Sequence, residues 1–553
     1  MTWRSASFIG DPDKGALARG LYRSMGYNDE NFKKPFIAIV NTWNDICPGQ
    51  YNLKRIASYV RAGIEENGGT PCEFGTIGGC DGIAQGHDGM HYILPSREII
   101  AASIEIMVQA HMLDGMVLLG SCDKIVPGIL MAAARLNLPA IVVHGGPMYP
   151  GHHNGKDIDV NETAVYAGKY RSGQCSREEF ETVERAACPT PGSCQMIGTA
   201  NTMSCLAEGL GMSLTGSAMI PTVDKKRMDV ARQSGRRIVD MVKEGLRPRD
   251  IITRKSIENA VRLGMAIGGS TNLIMHILAI AHEAKVPFTI DDYEKLSRTT
   301  PQIARLMTAS QYDMVDFYEA GAVPAVMHEI LPLLHGDALT VTGKTMEENL
   351  KDARILRPEV IHPLEDPVRP DGGLAIIKGN LAPLSGVCKP AAIPVEHHTF
   401  EGPAKVYDSE EDLTQAIYDN KIEKGDIIVV RYEGPKGGPG MREMFTPLEL
   451  LLGYGLAEDV FLITDGRFSG SNKGGFVGHI SPEAAEGGPL AIVEDGDRIR
   501  IDIPNRRLDL LVPQEEIDRR LAHWQAPEPK IKDGYLSVYA RLVTSAHYGA
   551  IIK

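Results

Sequence analysis

The N-terminal stretch alternates short apolar runs with helical patterns, and this alternation restricts the fold more than any other feature of the 553-residue chain. Phe36-Ile37-Ala38-Ile39-Val40 is β-rich. It precedes a helical pattern over about 53–67, with apolar residues at 53, 56, 59, 60 and 64 and a stop at Gly68-Gly69. Residues 116–119 and 140–143 read as further buried strands, with a helix over about 127–135 between them. Strand–helix–strand with short links implies a parallel sheet. Ligands collect where the carboxyl ends of such strands meet their loops. The loop Gly120-Ser121-Cys122-Asp123-Lys124 lies at one such end.

Farther along, residues 225–285 read as long helices. Around 335–372 the pattern thins into charged, Pro-containing sequence. This thinning suggests two domains, an α/β domain with a parallel sheet over 1–355 and a second over 356–553. In the second, strands are expected at 374–378, 426–431, 460–464 and 490–493, then a hairpin of 498–503 and 507–512 around Pro504-Asn505-Arg506. Strands so closely spaced suggest a barrel or sandwich.

The net charge of −13, with no Lys/Arg block, argues against a nucleic-acid partner. No apolar run is long enough to span a membrane, and the first residues carry no apolar leader segment, so a cytoplasmic location is expected. Nine cysteines in such a chain read as free thiols, not a disulfide framework.

Two Cys-Asp pairs stand out among them: Cys80-Asp81, within Gly78-Gly79-Cys80-Asp81-Gly82, and Cys122-Asp123-Lys124. Each sets a soft ligand beside a hard one. Thiolates favour iron–sulfur clusters or zinc, and carboxylates favour magnesium or manganese. A third loop, Cys188-Pro189-Thr190-Pro191-Gly192-Ser193-Cys194, offers more thiols, but without the CxxC spacing of a zinc ribbon. Taken singly, each pair is more often a buried small thiol than a ligand. Two Gly-rich loops, 431–443 and 464–471, do not match a phosphate-binding loop. They read either as tight turns or as backbone anion sites.

At these residues a resemblance becomes plain. Cys122-Asp123-Lys124-Ile125-Val126-Pro127-Gly128 and Thr464-Asp465-Gly466-Arg467-Phe468-Ser469-Gly470 resemble the two signature stretches of the dihydroxy-acid dehydratase/phosphogluconate dehydratase family. The likeness continues through Leu94–Glu98, Thr199–Met203, Gly268-Gly269-Ser270-Thr271-Asn272 and His479–Ala484, nearly the whole chain in order. It implies an N-terminal α/β domain and a C-terminal β-barrel domain with the site between them, in a homodimer or dimer of dimers. It makes Cys122 and Cys194 ligands of an iron–sulfur cluster, and Asp81, Asp123 and Glu443 ligands of Mg²⁺ or Mn²⁺. Lys124 is the position carbamylated in some relatives, which turns a repelling ammonium into an anionic ligand. Ser469 matches the proposed catalytic base, with Ser471 a substrate contact. The chain departs from one branch: relatives with a [2Fe–2S] cluster have Cys where this chain has Gly49. Cys80, shared with branches that look like [4Fe–4S] users, is favoured over Cys47 as third cluster ligand, and the cluster type stays open.

The resemblance implies dehydration of a 2,3-dihydroxy carboxylate to a 2-keto acid, first of the 2,3-dihydroxyisovalerate type used in branched-chain amino-acid synthesis. The alternative is an aldonate such as gluconate, xylonate or arabinonate. A non-catalytic cluster-based sensor would be expected to lack the base or the metal ligands, and all are present. The pairs His152-His153 and His397-His398 read as solvated, Cys72, Cys175, Cys205 and Cys388 as packing or surface thiols, and 408–412 as a solvated helix start.

Overall fold

The computed structural model describes residues 3–553 except 308, 471 and 473. Strands β1 (Phe36–Asn41), β2 (Thr70–Gly75), β3 (Gly115–Gly120) and β4 (Ala140–His144) form an all-parallel sheet in the order β2-β1-β3-β4. Every residue of β1, β3 and β4 is buried. That is why these strands read as continuous apolar runs, as a sheet covered on both faces requires. Helix Leu53–Glu66 pairs with helix Lys225–Glu244, and two glycines let the backbones meet. A Cβ on Gly63 would stand 2.0 Å from the Arg232 carbonyl oxygen, and one on Gly235 2.2 Å from that of Val60. Helices Ile93–Ala110, Ile125–Leu136 and Asn272–Ala284 form a second packed group. β5 (Gly151–His153) and β6 (Lys156–Ile158) make a small hairpin whose His152 side chain is exposed.

The C-terminal half holds β7 (Ala375–Ile377), β8 (Ser385–Cys388), β9 (Thr399–Tyr407), β10 (Ile427–Val430), β11 (Phe461–Thr464), β12 (Gly475–Ser481), β13 (Arg498–Asp502) and β14 (Arg507–Leu510). Their order is β14-β13-β9-β10-β11-β12-β8-β7. The two edges meet: Lys378 N–H donates to Arg506 O and Leu508 N–H to Lys378 O, both at 3.0 Å. The sheet thus approaches a closed barrel, which removes exposed edges. Ile377, Val429, Ile463, Val477, Ile499 and Leu508 belong to one buried cluster there. Strands β9 to β12 run parallel, with helices Glu410–Tyr418 and Thr446–Gly453 as crossovers.

Three local expectations fail, the first at His398, which is buried with Nε2 3.1 Å from Ile393 O where a solvated side chain is expected. Residues 490–493 form no strand: a 3₁₀ turn, Pro489–Ile492, takes all but the last of them. Pro489 has no N–H for a ladder and its fixed φ starts the turn, a distinction that apolar content alone does not make. The acidic run does start a helix, capped by Ser409, but Glu410 is only 3% exposed, facing Arg442 at 2.7 Å. No helix among the described residues is long and apolar enough to cross a membrane.

Candidate active site

The loops at the carboxyl ends of β1, β2 and β3 carry Cys47, Cys80-Asp81 and Cys122-Asp123-Lys124 respectively. Cys80 caps the short helix Asp81–Ala84, and Lys124 precedes helix Ile125–Leu136. Asp81 and Asp123 therefore sit at helix starts, where exposed N–H groups favour anions. Cys194 arrives from a distant loop that is stitched onto the end of the sheet. Ser193 N–H donates to Gly146 O at 2.9 Å and Met148 N–H to Ser193 O at 2.8 Å.

Four thiols converge here. Cys47 Sγ lies 3.4 Å from Cys122 Sγ, Cys47 also bonds Cys80, and Cys80 and Cys194 interact electrostatically. The sequence posed Cys80 and Cys47 as alternatives, whereas the fold supplies both. Gly49 has no room for a side chain, since a Cβ would stand 2.3 Å from Cys122 Sγ. Cys188 is exposed, though it too interacts electrostatically with Cys194. Contact with a neighbouring thiol, with burial, holds Cys47 and Cys80 protonated well above the ordinary thiol range, and burial does the same for Cys194. Cationic iron reverses that preference, because a coordinating thiol is deprotonated. The soft donors thus fit an iron–sulfur cluster.

Beside them is a buried acidic centre. One carboxylate oxygen each of Asp81, Asp123 and Glu443 lie within 4.8 Å of one another. Glu443 comes from the barrel half, on a segment paired with Arg467. The Lys124 ammonium stands among the three: it bonds Asp81 Oδ2 at 2.7 Å, contacts Asp123 Oδ1, and lies 3.7 Å from Glu443 Oε2. Arg467 Nη1 pairs with Glu443 Oε2 and lies 3.8 Å from Asp81 Oδ2. Three carboxylates face two cations. Burial, then the neighbouring Asp81, pushes Asp123 up to about 7, and burial raises Asp81 also. Burial acts the same way on Glu443, but Arg467 and Lys124 outweigh it and hold that carboxyl below its usual range. Asp81 Oδ1 is buried and hydrogen-bonds nothing among the described residues. An excess of hard oxygen donors with one unsatisfied suits Mg²⁺ or Mn²⁺, provided the Lys124 ammonium moves aside or is carbamylated.

Ser469 hydrogen-bonds the Glu443 carboxylate. Two further residues, Arg467 and Asn272, organise the site from segments that carry the family resemblance. Arg467 Nε donates to Met441 O at 2.6 Å while its fork holds Glu443. Asn272 Nδ2 reaches Thr199 Oγ1 at 2.9 Å, Glu443 Oε2 at 3.2 Å and Phe468 O at 3.4 Å, tying the helical half to the Ser469 loop. Their signal was position alone, Arg467 two residues before Ser469 and Asn272 in the Gly-Gly-Ser-Thr-Asn turn. Ser471 lies outside the described residues. The groups enclose a cavity of about 140 Å³ lined by Asp81, Asp123, Cys194, Glu443, Ser469 and the apolar Val160, Met196, Ala200 and Phe445.

A parallel α/β half and a barrel half that jointly bury carboxylates, thiols and a serine around one small cavity define an enzyme site. The chain belongs to the dihydroxy-acid/6-phosphogluconate dehydratase family, whose N-terminal model matches residues 34–349 and whose C-terminal model matches residues 359–550. It is similar to the dihydroxy-acid dehydratases of Acetivibrio thermocellus (50% identical) and Caldanaerobacter subterraneus subsp. tengcongensis (51%), each match covering 97% of both chains. That of Pyrococcus furiosus is 50% identical, again over 97% of both chains. The protein is accordingly a hydro-lyase.

Proposed function

We propose that the protein removes water from small 2,3-dihydroxy carboxylates of the 2,3-dihydroxyisovalerate type, giving the 2-keto acids of branched-chain amino-acid synthesis. The observation that carries this reading is the single cavity lined at once by the Cys194 thiol, the Asp81, Asp123 and Glu443 carboxylates, and Ser469. In this reading Cys80, Cys122 and Cys194 hold a [4Fe–4S] or [2Fe–2S] cluster, and Asp81, Asp123 and Glu443 hold Mg²⁺ or Mn²⁺, with Lys124 as a further ligand once carbamylated. When bound, these groups supply Lewis acidity for the departing hydroxyl and charge neutralisation for the substrate carboxylate. The chain's own part is positioning and proton transfer. Ser469, as its alkoxide, takes the C2 proton, the C3–O bond breaks, the departing hydroxide takes that proton from Ser469 and leaves as water, and the enol tautomerises to the keto acid. A serine is a weak base in water, and the Arg467 cation, paired with the Glu443 carboxylate that Ser469 also bonds, lowers the cost of its negative charge.

The walls favour a branched, apolar substrate tail over a polyol. The volume of about 140 Å³ lies below the usual range for larger ligands. Val160, Met196, Ala200 and Phe445 supply apolar surface, and two of the polar lining residues, Asn201 and Thr163, spend their side chains within the protein. Asn201 accepts from Ser193 Oγ at 2.8 Å and donates to Cys194 O and Met196 O, and Thr163 Oγ1 donates to Val160 O at 2.7 Å. Gln85, whose Oε1 has no partner among the described residues, and Asn161 also line the cavity, so discrimination against an aldonate rests on the small volume and the four apolar residues. We also place the domain boundary at 355/356 and expect a cytoplasmic homodimer or dimer of dimers.

The test is an anaerobic assay of cluster-loaded enzyme with Mg²⁺, following keto-acid release from 2,3-dihydroxyisovalerate, gluconate and arabinonate. Turnover of dihydroxyisovalerate should dominate, and Ser469→Ala should lower kcat by at least about 10²-fold. Preference for an aldonate would move the enzyme to sugar-acid breakdown. Absence of turnover with a loaded cluster would favour the sensor.

A further inference from the structure

We propose that Lys389 is a positioning residue for this reaction: its buried ammonium clamps the loop that presents Ser469 and favours negative charge there. The proposal rests on the reading of Ser469 as base. Lys389 follows β8 and is 1% exposed. Its Nζ donates to Gly470 O at 2.9 Å, the carbonyl of the residue after Ser469. A few residues on, Gly474 N–H donates to Ala392 O at 3.3 Å, so the turn after β8 holds the Ser469 loop at two points.

The other fully buried cations are provided for differently. Lys124 faces Asp81 and Asp123, Arg97 faces Glu98, Arg467 faces Glu443, and Arg442 faces Glu410 and Glu411. Arg227 spreads its fork over the carbonyls of Ser217, Ala218 and Ile220. Lys389 has one carbonyl and, among the described residues, no carboxylate within ion-pair distance. Burying an ammonium on such terms costs stability, and residues kept at such a cost cluster at functional sites. Burial alone lowers its pKa to about 8, consistent with that cost.

The loop is held at three consecutive residues. Asn272 Nδ2 takes Phe468 O at 3.4 Å, Glu443 takes the Ser469 hydroxyl, and Lys389 takes Gly470 O. Gly470 is also pressed against the helical half, where a Cβ would lie 2.4 Å from Ser270 Cβ. The loop is therefore wedged between Ser270 and Lys389, and the cation stands where a charge forming on Ser469 would feel it through low-dielectric protein.

The test compares Lys389→Met, Lys389→Arg and Ser469→Ala in the loaded holoenzyme, reading kcat, KM and thermal midpoint. For Lys389→Met the midpoint should hold or rise, since an unpaired buried charge is replaced by an apolar chain. Its kcat should fall at least about tenfold with KM changed less than about threefold, and Lys389→Arg should recover part of the loss. Adding Lys389→Met to Ser469→Ala should then lower turnover no further. A wild-type kcat in Lys389→Met overturns the proposal. So does a kcat loss in Lys389→Met that only accompanies a lower midpoint and is not recovered in Lys389→Arg, because that marks a packing role. If Ser469→Ala itself keeps full turnover, the base assignment fails instead, which separates the two readings.

Discussion

The thiol pocket and the acidic centre touch each other yet are assembled in opposite ways. Cys47, Cys80 and Cys122 sit on successive loops of one sheet, and Cys194 is stitched to the same sheet end by backbone hydrogen bonds. The acidic centre draws Asp81, Asp123 and Lys124 from that sheet but Glu443, Arg467 and Ser469 from the barrel half. One region is thus completed within a single half, and the other exists only when both halves dock. The comparison teaches that changes in the barrel should disable the acidic centre while leaving the thiols in place.

The largest effect should come from Arg467→Met. It strips the fork from Glu443 and leaves a buried carboxylate without its nearest cation, a loss of about 3–5 kcal/mol for a broken buried pair. Turnover should fall about 10³-fold, while the iron content of the reconstituted protein stays at the wild-type level. Iron loss in this variant would show that the two regions are one unit.

The reverse cut is Cys122→Ser, which should abolish iron loading while Mn²⁺ still binds the carboxylates, as read by the ion's electron paramagnetic resonance signal. Cys47→Ser is expected to retain iron, because Cys80, Cys122 and Cys194 remain. Full iron loss in Cys47→Ser would instead make Cys47 a ligand.

The smallest effect lies within the barrel half. Glu483 accepts N–H bonds from Lys436 and Gly437, in the loop that leads to Glu443. Burial, then the Asp465 charge, pushes its carboxyl up to about 8. A carboxyl raised on folding takes up a proton, so stability is full below the ordinary value near 4.5 and declines as pH climbs through about 8. Glu483→Gln should flatten that decline, of order 2 kcal/mol, in denaturant unfolding at pH 6 and pH 9. An unchanged pH slope would remove Glu483 as its source.

Much of the frame was legible beforehand. The strands near 36–40, 116–119 and 140–143 and the hairpin around Pro504-Asn505-Arg506 are found where the pattern puts them, since burial on both faces demands continuous apolar runs. The 3₁₀ turn at Pro489–Ile492 and the buried Glu410 were not legible, because a buried turn and a buried strand share one composition and a buried acid looks solvated until its Arg442 partner is placed. The Cys-Asp pairs were readable as ligand candidates because both donors lie on adjacent residues, but nothing in their spacing says that Cys47 and Cys122 lie 3.4 Å apart.

The sequence by itself determined what short-range physics controls: which runs must be buried, where glycines make turns, and which neighbouring side chains pair soft with hard donors. Only the tertiary structure decided that Glu443 joins Asp81 and Asp123, that Arg467 and Asn272 hold it, and that Lys389 lies behind Gly470. Those contacts join residues up to several hundred positions apart. Their proximity is fixed by how the barrel closes on the sheet, which no local pattern encodes.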